Sequence, residues 1–234
     1  IYVCYDEFVN RERRKDTMSL VYEPTAAKNW ANTVVECLNG GSTSVKGCSV
    51  KFNEQIEKLV QPNVWTGAAA AQNFQNFMDT HNALIHFANE FGSSFSQAMM
   101  DVAKSIADLE VANLGADTTV SSNFGQLNYS QITEMSAANI NKEVVTYDYG
   151  VISEIGSALA SIKGNLEDVK TKLDSELSKL NSGSGIWDGN AAEGAKETLT
   201  NVLNTNMSQI FEALNTCISN ISAAAEAAQM ADQG

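Results

Sequence analysis

The stretch Val64-Trp65-Thr66-Gly67-Ala68-Ala69-Ala70 has a counterpart in Ile186-Trp187-Asp188-Gly189-Asn190-Ala191-Ala192. Each is an apolar residue followed by Trp-x-Gly-x-Ala-Ala, and each opens a long segment of helical period. A second landmark recurs in the same order. Tyr22 lies 43 residues before Trp65, and Tyr147 lies 40 before Trp187. Two landmarks repeated at nearly one spacing indicate a duplicated unit.

The segments on either side of each Trp-x-Gly show what the unit is. After Tyr147 the apolar positions run Ile152, Ile155, Leu159, Ile162, Leu166, Val169, Leu173, Leu177 and Leu180, in steps of three and four, with lysines and carboxylates between them. That pattern predicts a solvated helix with one narrow apolar seam. Asn181-Ser-Gly-Ser-Gly185 breaks it, and beyond Gly189 a second seam runs from Leu199 through Met207 and Leu214 to Ile221 and Ala228. The second copy therefore reads as a helical hairpin.

The first copy has the same plan with heavier side chains. Its second arm carries Phe74, Phe77, Leu84, Phe91, Phe95 and Met99 and ends near Leu114-Gly115. Such a stripe reads as core, or as a strip seeking a partner if the hairpins do not pack together. The first arm begins at Pro24, a residue suited to the first helical turn. It passes Trp30, Val34 and Leu38 to Gly40-Gly41, then continues through Cys48, Phe52, Ile56 and Leu59 to Pro62. Position 41 falls on the seam of an uninterrupted helix, so the reading favours one kinked helix over two helices and a turn. In a continuous helix Cys37 and Cys48 would lie about 16 Å apart, beyond disulfide reach.

A Trp-x-Gly turn has a physical rationale. Glycine permits a backbone conformation, or a close approach, that a Cβ obstructs. The nearby indole buries a large apolar area and sets the angle at which the arms leave. Trp65, Gly67, Trp187 and Gly189 are the expected turn residues. Residues 18–114 form the expected first hairpin and 146–234 the second. Between them 115–145, rich in Ser, Asn, Thr and Gly, is the linker, with a short helix expected around Gln131 to Asn141.

Residues 1–17 are set apart. All three arginines of the chain, Arg11, Arg13 and Arg14, fall here, yet four acidic residues offset them and Lys15. Arg13-Arg14 can be encoded AGG AGG, a purine-rich ribosome-binding site just upstream of Met18. The expectation is a translated leader, disordered, with the gene product beginning at Met18.

Composition narrows the function. A net charge of −13 and a pI near 4.5 disfavour nucleic acid and anionic lipid as partners. Only two prolines interrupt a chain rich in Ala, Asn, Ser and Leu, so an all-α fold is expected. No apolar run reaches the length of a membrane span, and neither possible start shows a secretory signal. The cysteines Cys4, Cys37, Cys48 and Cys217 have no metal-binding or redox spacing and read as buried thiols. His81 and His86, five apart, fall on different faces of a helix, so no helical metal pair and no base with its orienter is visible. No phosphate-binding loop is present. No catalytic residue, metal or cofactor is expected.

The placement and duplication of these motifs resemble the WXG family of type VII secretion substrates. The resemblance runs from Tyr22 to Gly234 except for the linker, and maps the family's turn residues onto Trp65 with Gly67 and Trp187 with Gly189. It implies helical hairpins that pair into a four-helix bundle, here as an intramolecular pseudo-dimer and so a monomer. It also implies export from a Gram-positive cell without a cleaved signal peptide, recognition by the secretion ATPase, and either a substrate role or that of a co-secreted partner of an effector. One feature departs from the family: its Tyr-x-x-x-Asp/Glu export signal is missing, since no tyrosine follows Tyr149. The region Glu226 to Gly234, or a secreted partner, would have to replace it. Two alternatives belong to other classes. One is a membrane-acting helical toxin, suggested by the alanine-rich end Ala223 to Ala231 and the Phe-rich arm; the other is an intracellular scaffold.

Overall fold

The computed structural model describes residues 21–114 and 140–233, with side chains left aside at 21, 101, 103–114 and 231–233. The expected leader lies outside the described residues. So does the expected helix around Gln131 to Asn141, apart from Ile140 and Asn141, which are not helical.

Among the described residues the chain is all-α but for two very short strands. The order is β1 (Val21–Tyr22), α1 (Pro24–Asn39), α2 (Val45–Leu59), α3 (Ala68–Leu114), α4 (Tyr149–Ser178), β2 (Trp187–Asp188) and α5 (Asn190–Gln233). Each helix starts for a local reason. Glu23 caps α1, its carboxylate accepting the Thr25 and Ala26 amides, with Pro24 in the first turn. Ser44 caps α2 and Asp148 caps α4 in the same manner.

The expected kinked helix is not found. α1 stops at Asn39, and a turn leads into α2 at Val45. Three glycines account for the break. Gly40 takes an extended conformation at the C-cap, where a Cβ would press on the Glu36 carbonyl oxygen at 2.6 Å. Gly41 adopts a positive φ of 64°. At Gly47 any Cβ would run into the Gly41–Ser42 backbone, so the turn folds down onto the first turn of α2. Ser44 then supplies the cap that restarts the helix, its Oγ accepting the Gly47 amide at 3.1 Å. Local conformational preference outweighs the continuity of the apolar seam.

The helices pack along their apolar stripes as a helical bundle. α2 lies against α3 and α4, α5 lies against α3 and α4, and α1 touches α2, α3 and α4. The seams merge into one core cluster running from Ala27 to Ile221, and residues of both repeats contribute to it. Burial of each large apolar side chain contributes about 1.5–3 kcal/mol. The stripe Phe74, Phe77, Leu84, Phe91 and Phe95 is buried within the chain, so it is core and not an exposed strip. Phe77 meets Phe52 edge-on at 6.2 Å, and Phe95 meets Trp30 at 5.4 Å.

Candidate functional site

The two Trp-x-Gly motifs lie between the arms, each just before the first residue of a long helix. Trp65 and Trp187 are both buried. Gly67 and Gly189 have φ of 109° and 128°, values that L side chains rarely adopt. Each glycine carbonyl accepts the first bond of the helix it opens, from Ala71 at 3.1 Å and from Glu193 at 3.0 Å. The glycines therefore act as helix caps as well as reversal points.

The residue between Trp and Gly was silent in the sequence, and the structure gives it a role in each turn. Asp188 latches its own turn, accepting the Gly183 amide at 2.9 Å and the Gly185 amide at 3.4 Å. Asn181, at φ 50°, completes that turn. Its side-chain oxygen accepts the Gly189 amide at 2.9 Å, its backbone amide donates to the Trp187 carbonyl at 2.9 Å, and its Nδ2 donates to Glu193 at 2.8 Å. Thr66 does something different. Its hydroxyl donates to the Val144 carbonyl at 2.6 Å and accepts the Thr146 amide at 2.9 Å. The first turn is thus latched by the segment leading into the second repeat. The Gly67 amide extends the same contact to the Asn141 carbonyl at 2.7 Å.

The leading tyrosines cross over. Tyr22, which precedes the first arm, pairs with Trp187 of the second repeat in the antiparallel β1–β2 ladder. Tyr147, which precedes the second repeat's first arm, pairs with Trp65 of the first repeat in an isolated antiparallel bridge. The Trp65 and Tyr147 rings meet edge to face, with centroids 5.8 Å apart. The acidic residue after each tyrosine, Glu23 or Asp148, donates its amide across the crossing, to the Gly185 carbonyl at 3.1 Å and to Val64 at 2.8 Å. Each turn therefore holds the start of the other repeat. Antiparallel pairing of Tyr with Trp suits such a contact, because aromatic cross-strand pairs stabilise short ladders.

The electrostatics follow from burial. Both hydroxyls, Tyr22 Oη and Tyr147 Oη, are buried, and neither has a hydrogen-bond partner among the described residues. Burial pushes both phenols up to about 12, with the Glu23 charge adding to the effect at Tyr22. The Ala26 and Thr25 amides hold the Glu23 carboxyl below its usual range.

The described histidines and cysteines all lie on the helices. His81 is buried between α2 and α3, its Nε2 at 3.1 Å from both the Oγ and the carbonyl oxygen of Ser49. Desolvation lowers its pKa, partly opposed by the Ser49 bond. His86 faces outward on another side of the helix. Cys37, Cys48 and Cys217 are free thiols. Burial raises all three, Cys48 to about 11, which disfavours the reactive thiolate. Cys37 borders a groove of about 470 Å³ between α1 and α4, where Glu36 and Lys172 also lie. Among the described residues no group of three His, Cys, Asp or Glu is placed to hold a metal ion. No described helix is long and apolar enough to cross a membrane.

Comparison with known proteins adds no relative: no family model, no curated protein and no solved structure matches this chain significantly.

Proposed function

We propose that this chain is a tandem WXG-type protein, a non-enzymatic type VII secretion substrate or the co-secreted partner of an effector. In this reading its two hairpins form an intramolecular four-helix pseudo-dimer, and the secretion ATPase recognises it as a folded bundle. The observation that carries the reading is the placement of both Trp-x-Gly turns between matched arms, each clasping the leading tyrosine of the other repeat. A duplicated hairpin whose copies complete each other has the form expected of a pair fused into one chain. The buried Phe stripe and the acidic surface fit a bundle that travels folded.

The test is expression in a Gram-positive host with an active type VII system, beside the same host lacking the secretion ATPase. The expected result is protein in the medium only where the ATPase is intact. Retention in the cytosol of both strains, or export indifferent to the ATPase, overturns the proposal.

A further inference from the structure

The contacts between the two repeats are reciprocal, and none requires both repeats to belong to one chain. The Trp30 indole N–H donates to the Glu176 carbonyl at 2.8 Å, Glu23 N–H to Gly185 at 3.1 Å, Asp148 N–H to Val64 at 2.8 Å and Thr66 N–H to Thr146 at 3.1 Å. Each joins a residue of 21–114 to one of 140–233. A second copy of the chain could supply either side of every one.

The covalent connection is more demanding. α3 starts beside Asn141, whose carbonyl accepts the Gly67 amide, and it runs 47 residues to Leu114. At ~1.5 Å per residue that end lies about 70 Å away. Whatever its course, the connection between Leu114 and Asn141 must span that separation. Residues 115–140 can reach at most roughly 90 Å, at about 3.3–3.6 Å per residue, which exceeds that separation.

We infer that the face each repeat offers the other also fits the matching repeat of a second copy of this chain. The length of the 115–140 connection decides which copy supplies it. At natural length the tethered repeat wins because its effective concentration is high. Shortened below the length of α3, the connection cannot reach, and the same contacts form between molecules. Two such assemblies laid side by side and antiparallel about a two-fold axis bring each α3 end near the other's Asn141, so the exchange closes as a dimer with no face left open. This depends on the packing of the repeats and is independent of the secretory reading.

The experiment compares two full-length variants. One deletes residues 116–127, which cuts the reach to roughly 50 Å at the same extension per residue. The other replaces those residues with a Gly-Ser stretch of equal length. Both carry Val21→Cys and Asp188→Cys, opposite each other in the β1–β2 register, for air oxidation to a disulfide. The deletion variant is expected to double its mass by light scattering, keep its helix content and cross-link between chains. The equal-length variant is expected to stay monomeric and cross-link within the chain. The inference is overturned if the deletion variant remains monomeric, folded or not, forms open higher oligomers, or cross-links within the chain. Dimerisation of the equal-length variant overturns it too, since length would then not be the determinant.

Discussion

Thr66 and Asp188 occupy the same place in the two turns and hold them differently, which gives their substitutions different consequences. Thr66→Val keeps the shape but strands the Val144 carbonyl and the Thr146 amide, so a loss of about 1–3 kcal/mol is expected by chemical denaturation. Thr66→Ser retains the hydroxyl and should lose far less. The tyrosines behave in the opposite way. Removing an unpartnered buried hydroxyl takes away a desolvation cost, so Tyr22→Phe and Tyr147→Phe are expected to be neutral or stabilising by up to about 1 kcal/mol. The sign of the alkaline effect follows from the raised pKa values. An ordinary tyrosine ionises near 10 in the unfolded chain, whereas these ionise at about 12 when folded, so the stability they contribute is complete below pH 10 and is lost as pH rises toward 12. In an alkaline denaturation series the double Phe variant should lose less stability across that window than the parent. The indole and glycine of each turn were legible in the sequence because the motif repeats at one spacing. The roles of Thr66 and Asn181 were not, since a hydroxyl or amide acquires its partner only when remote backbone arrives.

At the scale of the elements, the break between α1 and α2 shows where periodic reading fails. The apolar seam runs through positions 38, 41, 45 and 48 as if one helix continued, and an averaged pattern cannot register a local backbone collision. Gly47 is the most sensitive residue of that break. Gly47→Ala drives a Cβ into the Gly41–Ser42 backbone and is expected to cost about 1–3 kcal/mol, read as a lowered denaturation midpoint with unchanged slope. The packing of α2 on α3 carries a pH dependence through His81. Its folded pKa is depressed, so the stability it contributes is present above the ordinary value of 6.5 and is lost as pH falls from there toward the folded value. His81→Gln should narrow the stability difference between pH 7 and pH 5 relative to the parent. In the second repeat the period and the burial agree: the seams from Ile152 to Leu180 and from Leu199 to Ile221 are buried at the expected positions. Amphipathic period is a local property with a direct outcome in burial.

For the molecule as a whole, the contacts that join the repeats set its stability. The Trp30 indole, buried against Phe95, donates to the Glu176 carbonyl near the end of α4. Trp30→Phe keeps an aromatic ring there but loses the bond and some volume. A cost of about 1–3 kcal/mol in a single cooperative transition is expected, because both repeats contribute to one core. Two separate thermal transitions in the parent would contradict that shared core. The sequence by itself determined the helical class, the recurrence of the Tyr and Trp-x-Gly landmarks, the position of the two Trp-x-Gly turns and the apolar face of each arm, because these depend on residue type and on spacing within a few turns of chain. Only the tertiary structure decided that Tyr22 meets Trp187 and Tyr147 meets Trp65. Both repeats carry the same tyrosine and the same tryptophan, so pairing within a repeat and pairing between repeats look alike in sequence. The choice belongs to contacts made across more than a hundred residues for one pair, and to the packing of whole helices for both.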